Sequence, residues 1–111
     1  LDIIDTMKRS GLNAIPDGII TVSDALAAGV LSAFHDHNGP RVPEDVCVIG
    51  MEGATVGDQM PMSLTVVNAP AIDMGRKAMA QMLDYIDNPA AHVHSTTLIE
   101  PTLIRRESTR A

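Results

Sequence analysis

Residues 41–50, Arg-Val-Pro-Glu-Asp-Val-Cys-Val-Ile-Gly, constrain the chain more than any other stretch. Pro43 cannot continue a helix, because it has no N–H to donate and its ring clashes with the preceding turn. Val46, Cys47, Val48 and Ile49 then form an unbroken apolar run, which suits a parallel strand covered on both faces better than an alternating surface strand. Gly50 is expected to end it. In open α/β sheets the carboxyl ends of such strands face the ligand crevice, so Met51, Glu52 and Gly53 are the first place to look for function.

The flanking segments repeat the pattern. Pro16-Asp17-Gly18 is turn chemistry, and 19–22 reads as a short buried strand. Ser23 and Asp24 make a good helix start: the hydroxyl can accept from an orphan backbone N–H, and the carboxylate complements the positive end of the dipole. That helix is expected to reach about Asn38, with Leu26, Val30, Leu31 and Phe34 as its apolar face and Gly39-Pro40 as its stop. Ala25, Ala27, Ala28, Gly29 and Ala33 give it a small-residue surface that another element could approach closely. Residues 51–63 form a loop long for a compact domain. Its Val56, Met60, Pro61 and Met62 suit either a second chain or burial under the same one. A third strand is expected at 64–67, and Pro70 is well placed as the first residue of a helix running to Asp87. Its Met74, Met79 and Met82 read as adaptable core filling. Toward the end, Thr96 to Ile99 and Leu103-Ile104 read as two short strands or one bent one, with Pro101 near an edge. At the start, Ile3, Ile4 and Met7 fit the last turns of an amphipathic helix stopped by Gly11. A chain opening inside a helix is expected to belong to a longer protein.

This alternation of strands and helices predicts an α/β, doubly wound parallel sheet. One hundred and eleven residues make one small domain or part of a larger one. A formal charge of −6 disfavours direct contact with nucleic acid, which needs clustered Lys and Arg. With one Phe and one Tyr there is almost no stacking platform for bases or sugars. Cys47 lies in an apolar run and reads as a buried structural thiol. No apolar span reaches eighteen residues and no secretion signal opens the chain, so a cytoplasmic protein without membrane contact is expected.

Few residues suggest chemistry. Gly50, Gly53 and Gly57 are wrongly spaced for a nucleotide fingerprint. His35 and His37 point apart near a helix end and read as exposed cap residues. His92 and His94 could share a ligand in an extended loop, although an exposed linker is the plainer reading. No nucleophile sits on a strained turn beside a base. No cofactor, no metal and no catalytic residue are therefore assigned. Ser23, Asp24, Glu52 and Asn68 each fall after a strand, on one rim of the sheet. They are either capping and solvated loop residues or a polar ring for a hydroxyl-rich small molecule.

Taken in order, Pro16-Asp17-Gly18-Ile19-Ile20, Ser23-Asp24, Ala28-Gly29, Leu31, Arg41-Val42-Pro43-Glu44-Asp45-Val46, Val48-Ile49-Gly50, Leu64-Thr65, Pro70, Met74-Gly75 and Arg106-Glu107-Ser108-Thr109 resemble the lactose/galactose repressor family of bacterial transcription regulators. The resemblance implies the C-terminal part of an effector-binding domain of the periplasmic-binding-protein type I fold, two lobes around a ligand cleft. Residues 1–67 and about 96–107 would lie in the C-terminal lobe, and the helix at about 70–88 in the N-terminal lobe. The implied partners are a small-molecule effector, probed by Ser23, Asp24, Glu52 and Asn68, and a second copy of the chain, met through Ala28, Met60 and Met62. Operator DNA would be reached only through a helix-turn-helix outside these residues. The family usually has Asn where Ser23 stands, an aromatic and Asp where Met51 and Glu52 stand, and Gln where Ala69 stands. A transport solute-binding protein of the same fold is the alternative, and an α/β enzyme with Asp24 or Glu52 as base is a third reading.

Overall fold

In the computed structural model the described residues are 5, 9, 16–36, 38–52, 60 and 62–110, with the side chain of Glu52 outside the description. Their elements are β1 (Gly18–Ile20), α1 (Asp24–Asp36), β2 (Cys47–Glu52), β3 (Thr65–Asn68), α2 (Ala71–Asp87) and β4 (Thr102–Ile104). The sheet order is β1-β2-β3-β4. β2 pairs in parallel with β1 and β3 on either side, so the expected α/β parallel architecture is what the chain forms. Asp5 and Arg9 are helical; the remaining expectations for residues 1–15, His37, Gly53, Val56, Gly57 and Pro61 fall outside the described residues. The chain divides into two compact units, Leu1–Asn68 with Leu103–Ala111, and Ala69–Thr102.

In the first unit, α1 packs on β2. Its buried stripe is Asp24, Ala27, Val30, Leu31 and Phe34, with Ala27, Val30, Leu31 and Phe34 at i, i+3, i+4 and i+7 spacing. These four meet Val46, Val48, Leu64 and Val66 in one core, where each larger side chain contributes about 1.5–3 kcal/mol relative to exposure. Leu26, expected on that face, is 55% exposed. It precedes Ala27 by one residue and so points about 100° off the stripe. The helix ends at Asp36, with Asn38 in the left-handed region at φ 47° and the Gly39 N–H donating to Phe34 O at 2.8 Å. That pattern satisfies a carbonyl the helix end would leave orphaned.

β2 departs from expectation twice. Val46 and Val48 are fully buried, while Cys47 and Ile49 are only half-buried. Alternate side chains point to opposite faces, and α1 covers the face carrying Val48; Cys47 is therefore not the fully buried thiol the apolar run suggested. Gly50 also does not end the strand, which continues to Glu52 because Gly50, Met51 and Glu52 pair with Val66, Val67 and Asn68. β1 likewise ends at Ile20, two residues before Val22. The corner before β2 is held by Arg41, whose Nε and Nη2 donate to the two carboxylate oxygens of Asp45, each at 2.9 Å. The Arg41 N–H donates to the same carboxylate at 2.9 Å. These bonds to Arg41 push the Asp45 carboxyl down to about 2.

The segment after β4 is a latch. Ser108, fully buried, donates from Oγ to Val48 O at 2.6 Å and accepts the Thr65 N–H at 2.8 Å. Its own N–H donates to Ser63 O, and its carbonyl accepts the Val48 N–H. One residue thus joins β2 to the start of β3. Glu107 accepts both the N–H and the hydroxyl of Ser63, bonds that hold its carboxyl below the usual range. Arg106 donates to Leu64 O, Thr109 Oγ1 lies 2.8 Å from Thr65 Oγ1, and Arg110 donates to the carbonyls of Pro43 and Glu44.

The second unit is α2 and the extended segment after it. No residue of α2 is buried, and Met74, Met79 and Met82 are about half exposed at 48%, 59% and 56%. They do not fill a core here, because one helix and one extended strap cannot enclose one. Residues 96–99 form no strand. Thr97 instead accepts a hydrogen bond from Gln81 Nε2 at 3.0 Å. Nor is His92 an exposed linker residue. Its Nδ1 lies 2.7 Å from Asp84 Oδ2, its side chain is 11% exposed, and its ring packs edge-on against Tyr85 and His94.

Candidate functional site

The carboxyl ends of β1, β2 and β3 lie side by side because the three strands are parallel and adjacent. Chain order then decides what stands there. Ser23 and Asp24 follow β1 at the start of α1, Glu52 closes β2, and Asn68 closes β3 directly opposite Glu52 in the pairing register. All four positions expected to contact a ligand therefore share one edge of the sheet. Ala28, Met60 and Met62 stand elsewhere. Ala28 is half-buried on α1, and Met60 and Met62 pack partly against the core of their own chain.

The edge is built by local hydrogen bonding. The Thr21 N–H donates to Ile49 O at 2.9 Å and its hydroxyl donates to Ser23 O at 2.8 Å, tying the end of β1 to β2 and fixing where α1 begins. Ser23 Oγ accepts the Leu26 N–H at 3.3 Å, the capping role its residue type suggested. Asp24 is 2% exposed, and its Oδ1 and Oδ2 are buried with no hydrogen-bond partner among the described residues. The positive end of the α1 dipole favours a carboxylate there. Space for it exists because residue 50 is glycine: a Cβ at Gly50 would collide with Asp24 Oδ1 and approach Leu64 Cδ2 to 2.8 Å. Sequence reasoning missed both Thr21 and Gly50, since neither role is visible without the packing of α1 on β2.

Chemically, this edge offers acceptors. A buried carboxylate without donors is costly, and a ligand bearing hydroxyl or ammonium hydrogens would satisfy it. Arg41, Arg106 and Arg110 are bonded at the opposite edge, to Asp45, to Leu64 O and to the carbonyls of Pro43 and Glu44, so none of them is placed here to neutralise an anion. Among the described residues no three His, Cys, Asp or Glu side chains are grouped to hold a metal ion, and no helix is long and apolar enough to cross a membrane.

A parallel sheet with helices, bearing polar residues at the carboxyl ends of three neighbouring strands, defines the class: an α/β domain with a polar strand-end rim. Comparison with known proteins sharpens this. The model of the periplasmic binding protein-like domain matches residues 2–109, and the chain belongs to that family. It is 33% identical over 113 residues to the ribose operon repressor of Halalkalibacterium halodurans, a match covering 99% of this chain and 33% of that protein. Among solved structures, a LacI family transcriptional regulator from Arthrobacter sp. FB24 in complex with lactose is 30% identical with a TM-score of 0.75, covering 96% of this chain and 38% of that one. A LacI-type transcription regulator from Bifidobacterium animalis subsp. lactis is 28% identical with a TM-score of 0.80, covering 96% and 37%. The resemblance to the lactose/galactose repressor family is thereby borne out. The chain spans about a third of the length of the ribose operon repressor it matches.

Proposed function

We propose that this chain is the effector-sensing and dimerising part of a cytoplasmic transcription regulator, acting without catalysis. A small polar molecule, a sugar or related metabolite, binds at the rim formed by Ser23, Asp24, Glu52 and Asn68, and its binding alters the hold of a helix-turn-helix outside these residues on operator DNA. The observation that carries the reading is the buried Asp24 carboxylate, unpartnered among the described residues, at an edge where three parallel strands end. A polyol supplies the donors that this group lacks. The names of relatives, a ribose operon repressor and a regulator in complex with lactose, support the regulator reading over a transport solute-binding protein.

Residues 1–67 and about 103–107 belong to a C-terminal lobe and the helix at 70–88 to an N-terminal one; the stretch at 96–102, expected with the C-terminal lobe, groups with that helix. The grouping of Leu103–Ala111 with Leu1–Asn68 and the uncovered apolar side chains of α2 support that division. Ala28, Met60 and Met62 contribute to a homodimer contact; that each is only partly buried by its own chain supports it. The test is calorimetric titration of the intact protein with neutral sugars. Saturable binding weakened by Asp24→Ala and Asn68→Ala, with unchanged circular dichroism, supports the reading. Affinity untouched by both substitutions contradicts it.

A further inference from the structure

The second unit holds a cluster of side chains that the rim does not use. α2 ends at Asp87, and in the turn after it the N–H groups of Ala91 and His92 both donate to Asn88 O, at 3.0 and 2.9 Å. His92 is thereby brought back to the last turns of the helix, with Nδ1 2.7 Å from Asp84 Oδ2 and its side chain 11% exposed. In an extended segment residues 92 and 94 share a side, and the His94 ring lies edge-on to the His92 ring, 5.1 Å between centroids. Tyr85 packs against both rings.

The chemistry of the cluster selects a cation. An ionised carboxylate only accepts, so a neutral His92 ring donates from Nδ1 to Asp84 and keeps its lone pair on Nε2. A carboxylate that fixes the tautomer and orientation of an imidazole in this way is the usual support behind a metal-binding histidine. Two imidazoles bound to one ion at about 2.0–2.1 Å, with about 90–110° between them, set their ring centroids about 4.5–5.3 Å apart. The observed separation falls within that span. Charge favours the same ligand. The carboxyl end of α2 is the negative pole of its dipole and has no basic residue in its last turn. No Lys or Arg occurs from residue 78 to residue 104, a stretch that includes Asp84, Asp87 and Glu100.

We propose that His92 and His94 form a site for one divalent transition-metal ion of the kind that imidazole prefers, Ni²⁺, Cu²⁺ or Zn²⁺. Asp84 orients His92, and water completes the coordination. Asp84 is spent on that hydrogen bond, so the described residues supply two ligands and no group of three, and the ion exchanges with solvent. Bound there, it clips the segment after α2 to the end of the helix. Mg²⁺, which takes oxygen ligands, is not accepted.

Tyr85 supplies the readout. The chain has one Tyr and no Trp, so its aromatic emission comes from the residue that touches both histidines. The test is titration of the full chain with Ni²⁺, which quenches nearby emission and leaves the Cys47 thiol unoxidised, and in parallel with Mg²⁺. Saturable quenching by Ni²⁺, reversed by a chelator and absent with Mg²⁺, is the expected result. His94→Ala should abolish it, and Asp84→Asn should weaken Ni²⁺ binding roughly 10-fold, as loss of an orienting carboxylate does. Both residues are exposed, so circular dichroism should not change. On the unaltered chain, Zn²⁺ should shift the ring nitrogens of His92 and His94 and leave those of His35 in place. Equal responses to Ni²⁺ and Mg²⁺, no saturable quenching at millimolar Ni²⁺, Zn²⁺ shifts confined to other histidines, or full affinity in either variant would each overturn the proposal.

Discussion

Replacing Gly50 with alanine drives a methyl group into the Asp24 carboxylate and to within 2.8 Å of Leu64 Cδ2. Ordinary carbon–carbon contact is about 3.5–4.0 Å. Neither neighbour can swing aside into water, because Asp24 is 2% exposed and Leu64 is fully buried. Overpacking of this kind costs about 1–3 kcal/mol. The cost should depend on the carboxylate, so Gly50→Ala is also measured in an Asp24→Ala background, where the Leu64 contact alone persists. A coupling of about 0.5–3 kcal/mol between the two substitutions is expected, as for residues in direct contact. Urea denaturation of the four proteins, with the slope m held constant, reads it. A Gly50→Ala protein within about 0.5 kcal/mol of the parent, or an equal cost in both backgrounds, would refute the claim that residue 50 makes room for Asp24.

Ser108→Ala orphans the buried Val48 carbonyl and Thr65 N–H that its hydroxyl serves; a loss of about 1–3 kcal/mol per orphaned group is expected on urea denaturation, and an unchanged midpoint would show that the latch holds nothing. The Asp45 carboxyl should titrate at about 2 by carbon-detected magnetic resonance. Because the folded value lies below the unfolded 3.8, its contribution to stability is fully present above that value and is lost as pH falls through about 2. Arg41→Ala should return the midpoint toward 3.8, and a midpoint that stays low would assign the shift to something other than Arg41. Ala28→Glu places a charge on a half-buried position of α1, so it should dissociate a homodimer in light scattering; an undisturbed dimer would place the contact elsewhere. Met60→Glu should dissociate it too but also lower stability, since Met60 packs on its own core.

Much of this fold was legible locally. Apolar runs bounded by strong breakers located α1, β2 and β3: Gly39-Pro40 and Pro43 punctuate the chain whatever surrounds them. Errors came where tertiary context overrode local signals. Gly50 did not stop β2, because β3 continues the parallel ladder on one side as far as Glu52. Leu26 looked like core by its residue type, yet the buried stripe runs through Ala27. Thr96 to Ile99 have strand-like composition, but the segment is drawn onto α2, where Gln81 reaches Thr97. Arg106 to Thr109 served only as a point of resemblance, since nothing in those four residues announces that Ser108 will bridge β2 and β3. At the rim, chain order placed Ser23, Asp24, Glu52 and Asn68 at strand ends. It could not show that the Asp24 carboxylate is buried, that it lacks donors among the described residues, or that Gly50 and Thr21 shape its surroundings.

The most direct test of a ligand rim at the carboxyl edge is amide chemical-shift mapping of the intact protein during titration with ribose, lactose and cellobiose. At least one should give saturable shifts centred on Ser23, Asp24, Met51 and Asn68, and these should vanish in Asp24→Ala. Saturable shifts confined to residues away from the ends of β1, β2 and β3, or persisting in full without the Asp24 carboxylate, would contradict it.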